Sequence, residues 1–152
     1  LAYRMAWSEF EGQIATQLKA LHLSAAAAFP LLADKGHTTR LIVVSSEAVL
    51  GVPEIKMASY VAAKAAITAY SRVLAQEWVK RGIRVHIVAP GLVRTDLVAD
   101  LPDAWLDDLA AKLPEGRLTT ADDVARMVAF LMTDAADCLY GTPLHVSRGE
   151  RR

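Results

Sequence analysis

The chain has one cysteine, Cys138, in 152 residues, so no disulfide within it can staple the fold. A lone thiol reads most simply as a small apolar residue in a reducing compartment. Neither charge is in surplus: seventeen Lys and Arg balance seventeen Asp and Glu. With no basic face and no Lys/Arg block, nucleic acid is a poor candidate for the main partner. No apolar run reaches membrane-spanning length, since the stretch from Leu23 to Ala33 is interrupted by Pro30. That stretch is neither N-terminal nor preceded by a basic leader, so it is not a signal peptide. The expectation is a soluble, cytoplasmic protein with no membrane partner and no metal site. Internal repeats are absent, and no linker rich in Gly, Ser or Pro divides the chain. The chain opens at Leu1, which points to a processed, trimmed or incomplete N-terminus unless Met5 is the start.

What is present is core-forming material. Hydrophobic residues make up 53% of the chain, enough for one compact domain over residues 1–152. Ser8-Glu9-Phe10-Glu11 fits a capping box that opens a helix running through Ile14, Leu18 and Leu21 towards Ala25–Ala28, with Pro30 breaking or kinking its last turns. Arg40 to Ser45 reads as a strand buried on both faces. A loop with Gly51 and Pro53 follows, then a long helix from Met57 to Arg81 with Gly82 at its left-handed end. Ile83 to Val88 reads as a second strand, ended by Pro90-Gly91. Leu97 to Leu113 reads as a short, mobile helical insertion. Thr120-Ala121-Asp122-Asp123 is another capping box, opening a helix whose apolar face is Val124, Met127, Val128 and Leu131. Leu144-His145-Val146 is a short last strand. Alternating strands and helices imply an α/β fold with a parallel sheet and right-handed crossovers. Ligands in such sheets sit beyond the carboxyl ends of the strands, where Ser45-Ser46 and Pro90-Gly91 fall.

Tyr60 and Lys64 are four apart at the start of a helix and share one face. A free phenol has a pKa of about 10 and is a poor base near neutrality, whereas a neighbouring ammonium favours the phenolate. Tyr60 could then pass a proton to a carbonyl oxygen or take one from an alcohol. Ser46, at the strand end, could hydrogen-bond the same oxygen. Taken singly, these residues also fit a part-buried core tyrosine, a solvated lysine and ordinary loop serines. The order of segments is what distinguishes them: buried strand, Ser-Ser, loop, Tyr-x-x-x-Lys on an Ala-rich helix, buried strand, Pro-Gly.

In that order the chain resembles the C-terminal part of a short-chain dehydrogenase/reductase of the 3-oxoacyl-carrier-protein reductase type. The resemblance rests on Leu41–Ser46, Ala58–Ala66, Ile83–Thr95, Gly116-Arg117, Asp123-Val124-Ala125, Phe130-Leu131 and Gly141, and covers nearly the whole chain. It implies the C-terminal portion of a doubly wound, Rossmann-type parallel sheet with flanking helices, and an oxidoreductase using NAD or NADP. It further implies Tyr60 as proton donor or acceptor, Lys64 as the group that lowers the Tyr60 pKa and holds the nicotinamide ribose, and Ser46 as the residue orienting the substrate oxygen. The long Ser46-to-Tyr60 spacing leaves Ser45 as a second candidate. Pro90 and Gly91 would border the cofactor, Val93 would meet the nicotinamide carboxamide through its backbone, and Thr95 would contact the phosphates.

Four departures stand out. Gln17 occupies the place of the Asn whose backbone holds a relay water in the family, and reads equally as a relay residue or a plain polar one. His86 replaces another family Asn and reads as a hydrogen-bonded core residue. Arg148-Gly149 replaces the closing Gly-Gly and is followed by Glu150-Arg151-Arg152, which unsettles the C-terminal packing and a subunit contact. No glycine-rich dinucleotide fingerprint or ribose selector is present, so about 100 residues of a full doubly wound domain are missing, including the N-terminal dinucleotide-binding strands. The first strand should therefore carry an unpaired edge. The resemblance implies a homodimer or homotetramer built on the first helix and the Ala-rich helix, although these could instead pack within the chain. Leu97, Val98, Leu101, Trp105, Leu106 and Leu109 fit either an apolar lid over a small carbonyl or alcohol substrate or plain core. Two functions follow: an NAD(P)-dependent carbonyl reductase or alcohol dehydrogenase, or a truncated, non-catalytic subunit needing a partner chain to bind cofactor.

Overall fold

The computed structural model describes residues 1–53 and 55–149. The C-terminal segment Glu150-Arg151-Arg152 singled out above lies outside the described residues.

The first helical stretch is α1 (Trp7–Ile14), a π-helical turn over Ala15–Lys19, and α2 (Ala20–Leu32). The expected Ser8–Glu11 capping box does not form. Ala6, in extended conformation, is the N-cap and makes no side-chain cap bond. The helix starts two residues early, at Trp7, which stacks on Phe10 at a centroid distance of 5.6 Å. Ser8 thus falls inside the first turn, where its hydroxyl can no longer cap. Pro30 does not end α2 either; the helix runs on to Leu32 and stops at Ala33, whose backbone is extended. Proline here forfeits one hydrogen bond near a helix end, where neighbouring turns still hold the backbone.

β1 (Thr39–Val44), α3 (Ala58–Trp78) and β2 (Ile83–Pro90) form a βαβ unit, followed by α4 (Asp103–Ala111), α5 (Ala121–Leu131) and β3 (Pro143–Val146). The fold is α/β with a parallel, three-stranded sheet in the order β1-β2-β3. Thr39 to Val44 pair in register with Ile83 to Val88, and Ile87 to Pro90 with Pro143 to Val146. α3 ends in a short turn at Val79–Arg81, after which Gly82 takes φ +75° as expected of a left-handed cap.

Strand alternation divides the core in two. Val43, Ile83 and Val85 pack with Ala25 of α2 and with Ile67, Leu74, Ala75 and Trp78 of α3. Val88 packs with Leu131, Ala136 and the expected α5 face of Val124, Met127 and Val128. Each large apolar side chain buried this way contributes about 1.5–3 kcal/mol. The Thr120 capping box is present: its hydroxyl accepts from the Asp123 N–H, and the Asp123 carboxylate accepts from the Thr120 N–H.

β1 is not buried on both faces. Its residues are half-buried apart from Val43, and Val44 is 46% exposed. The strand is at the sheet's edge, pairing with β2 alone among the described residues. No strand among the described residues pairs with its outer edge, the pairing that central strands of parallel sheets have on both sides. His86 is fully buried on β2 as expected of a core residue, yet neither ring nitrogen has a hydrogen-bond partner. Burial, and to a lesser degree the Arg40 charge, push its pKa below the ordinary histidine value, so it sits in the core as neutral imidazole. Cys138 is exposed rather than tucked into the core. No helix among the described residues is long and apolar enough to cross a membrane.

Candidate active site

The site lies beyond the carboxyl ends of β1 and β2. The ladder carries past β1, because the Ser45 N–H donates to the Val88 carbonyl at 2.7 Å. The Ser45 side chain is buried against α3, its hydroxyl 2.5 Å from that of Thr68, which in turn bonds the Lys64 carbonyl. Ser45 therefore ties the strand end to the helix, and its hydroxyl is occupied.

Ser46 points elsewhere. It caps a single helical turn, Glu47–Val49, with its Oγ accepting from the Ala48 N–H at 3.2 Å. Because that bond uses a lone pair, the Ser46 O–H remains free to donate.

Tyr60 and Lys64 come together as their spacing predicts. The Lys64 ammonium lies 5.8 Å from the centre of the Tyr60 ring and donates to the Val44 carbonyl at 3.0 Å. α3 and the end of β1 are thus joined at the lysine. Desolvation lowers the Lys64 pKa from its ordinary value. An ammonium carries three donors, so two remain after Val44 for a bound polyol.

Gln17 falls within the π-helical turn, a feature that recurs at functional sites because it releases a backbone group from the regular ladder. Its amide donates to Gln13 at 3.0 Å, while its own Oε1 is buried without a partner. On the other strand, the Gly91 N–H bonds the Val146 carbonyl, Val93 bridges Thr119, and the Thr119 hydroxyl also bonds Val146. Pro90, Gly91 and Val93 are thereby stapled between β3 and the start of α5. Thr95 is exposed and its hydroxyl makes no cap bond, which leaves it free.

Beyond it, Arg94 holds α4 by Asp103 at 2.9 Å and Asp107 at 2.5 Å. The apolar residues of that segment divide: Leu106 is buried, Val98 and Leu109 are half-buried, and Leu97, Leu101 and Trp105 are exposed.

One pairing leaves little sign in the sequence, and one residue singled out there, Arg148, fastens the C-terminal packing rather than unsettling it. Glu47, directly after Ser46, is buried and bonded to His145 on β3. Arg148, with φ +52°, pairs with Asp123 and Glu115 and pins the end of β3 to the start of α5. A glutamate breaking an otherwise small and apolar stretch was the only sign of the first.

Residues 2–150 match the family model described as enoyl-(acyl carrier protein) reductase. With this parallel sheet and these ordered segments, the chain belongs to the short-chain dehydrogenase/reductase family. It is 35% identical over 149 residues to the 3-oxoacyl-[acyl-carrier-protein] reductase FabG of Escherichia coli K12, covering 98% of this chain and 60% of that protein. It is 41% identical over 108 residues to the cis-4-hydroxycyclohexanecarboxylate dehydrogenase of Sinomonas cyclohexanicum, covering 70% of this chain and 43% of that one.

Among solved structures, the TT0495 protein of Thermus thermophilus superposes with a TM-score of 0.88 at 29% identity, over 97% of this chain and 63% of that one. A 7α-hydroxysteroid dehydrogenase complexed with NADH and 7-oxo glycochenodeoxycholic acid gives 0.88 at 25% identity, over 97% and 57%. The chain spans about 60% of the length of the E. coli relative.

Proposed function

We propose that the chain carries the proton-handling part of an NAD(P)-dependent carbonyl reductase or alcohol dehydrogenase, 3-oxoacyl reductase-like in type. The observation that supports this best is Lys64 standing beside the Tyr60 ring while bonded to the strand end that presents Ser46. When bound, a nicotinamide cofactor supplies or accepts the hydride. Tyr60 gives its phenolic proton to the carbonyl oxygen in reduction, or takes it back in oxidation. The nearby ammonium stabilises the phenolate left behind. The free Ser46 O–H donates to the same oxygen and holds it in line as negative charge grows there.

The residues present suit one end of such a cofactor. The two unused Lys64 donors match vicinal ribose hydroxyls, and the free Thr95 hydroxyl suits a phosphate oxygen. Pro90, Gly91 and Val93 form the fixed wall against the nicotinamide. Gln17, with its unpartnered oxygen at the π turn, is the proposed water-holding point of a relay. For the adenosine half no glycine-rich turn is available, so the choice between NAD and NADP has no residue here to make it. The exposed Leu97, Leu101 and Trp105 suit a cover over a small apolar carbonyl or alcohol. A cytoplasmic setting and a homodimer or homotetramer are proposed with this reading, since α2 and α3 leave Leu23, Leu31 and Val73 exposed.

The unpaired edge of β1 favours a second reading, a dehydrogenase-like subunit that binds cofactor only with a partner chain. Titration with NADPH and NADH, followed by nicotinamide fluorescence, separates the two. Enhancement with either, together with turnover of a ketone panel, supports the enzyme. Binding of neither and no turnover sinks it for this chain alone.

A further inference from the structure

Glu47 immediately follows Ser46 and opens the helical turn that Ser46 caps. Its side chain is only 7% exposed, a rare placement for a carboxylate without strong compensation. One oxygen, Oε1, lies 3.0 Å from Nδ1 of His145, a residue on β3 that is 98 positions away. The other, Oε2, is buried with no partner. A carboxylate only accepts, so Nδ1 of His145 donates and the imidazole tautomer is set by Glu47. The turn itself is slight. Beyond the Ser46 cap it is closed by the Leu50 N–H on the Glu47 carbonyl at 2.9 Å and by the Val49 N–H on the Ser46 carbonyl at 3.4 Å. Three residues of helix have little stability of their own, so the direction of the Ser46 hydroxyl depends on what anchors the turn. Glu47 is the side chain that leaves this turn and bonds to the sheet.

We propose that Glu47 and His145 form a strap that positions Ser46, making the last strand part of the machinery that aligns the substrate oxygen. This rests on the reading of Ser46 as the hydroxyl that holds that oxygen. Glu47 is a positioning residue: it acts through the turn and touches no reacting atom. An isolated burial of Glu47 would only cost stability, and an acceptor buried half-satisfied calls for a role.

A double-mutant cycle on ketone reduction tests the strap, alongside the amide resonance of Ala48, whose N–H reports the Ser46 cap directly. Glu47→Ala is expected to lower kcat about tenfold with KM changed less than about twofold, because alignment matters most in the transition state. In a Ser46→Ala background the same change is expected to cost less than about twofold. Glu47→Gln, which keeps an oxygen for His145, restores most of the rate. The Ala48 amide should shift in Glu47→Ala and in His145→Ala, and stay in place in Glu47→Gln. His145→Ala breaks the strap from its half-exposed end and carries the same expectations. Glu47→Ala/His145→Ala, which leaves no buried carboxylate unpaired, carries them where His145→Ala fails to fold. Equal loss in both Ser46 backgrounds, or an Ala48 amide unmoved by Glu47→Ala or His145→Ala, overturns the proposal. If the wild-type chain shows no turnover, the functional reading fails while the Ala48 amide still decides the strap.

Discussion

Lys64 reaches from α3 to the final residue of β1, its ammonium donating to the Val44 carbonyl at 3.0 Å. The bond fixes a long, flexible side chain beside the Tyr60 ring, with no anionic partner among the described residues, so the charge meets a backbone dipole and an aromatic face. Burial then disfavours the ammonium, and the folded-state pKa lies below that of the unfolded chain.

That direction predicts a pH dependence of stability. Between the folded pKa and the unfolded value of about 10.4, the unfolded chain holds more protons, so this group's contribution improves as pH rises. Its burial penalty is fully present below the folded pKa. Melting temperatures of wild type and Lys64→Met, measured from pH 7 to 10, should therefore show the difference moving in favour of wild type as pH increases. A difference independent of pH would contradict the buried placement.

Tyr60→Phe removes only the phenolic O–H. If Tyr60 handles the proton, kcat for ketone reduction should fall about 10²–10⁴-fold while nicotinamide binding and melting temperature stay close to wild type. Steady-state kinetics with a fluorescence titration check this, and a loss under about tenfold would remove Tyr60 from the proposed role.

Arg148 is held at φ +52° by its pairs with Asp123 and Glu115. Its guanidinium, with help from the Thr120 cap, keeps the Asp123 carboxyl far below the usual carboxylate range. A carboxylate depressed in this way stabilises the fold above its unfolded pKa of about 3.9, and that stability is lost as pH falls further. Arg148→Ala should lower the melting temperature at pH 7, with the gap to wild type narrowing below about pH 4. Arg148→Gly should be milder than Arg148→Ala, since glycine accepts the left-handed backbone.

Gly82 closes α3 at φ +75°, and an added Cβ would meet only the His37 carbonyl at 3.7 Å, an ordinary contact. The expected cost of Gly82→Ala is thus the backbone term alone, about 1–2 kcal/mol. Gly82→Asn should cost less. Urea midpoints should move with unchanged slope.

What the sequence made legible was what its local chemistry decides. Thr120 and Asp123 cap their helix because both partners sit within four residues. Gly82 ends α3 because its conformation excludes most other residues. Tyr60 meets Lys64 because one helical turn separates them. The errors have the opposite character. Ser8 and Glu11 have the right spacing, but the Trp7–Phe10 stack starts the helix earlier. β1 has the composition of a buried strand, yet exposure depends on neighbours that its own residues do not encode. His86 carries the marks of a bonded core residue, while on the strand neither ring nitrogen gains a well-placed partner, the nearby Leu139 backbone included. Glu47 and His145 were invisible as a pair, because only the sheet brings positions so distant together.

The pairing of Val44 with Val88, and the Ser45 N–H on the Val88 carbonyl, also act as a vernier for the chemistry. A slip of one residue between β1 and β2 would move Ser46 by about 3.3 Å and exchange the faces of Ser45 and Ser46. Such an isomer would turn Val43 away from the core it shares with Ile67 and Leu74, so the packing that holds the fold also selects the register that sets Ser46. Alignment of the hydroxyl is in this sense decided during folding, when two strands choose their register, well before any substrate arrives.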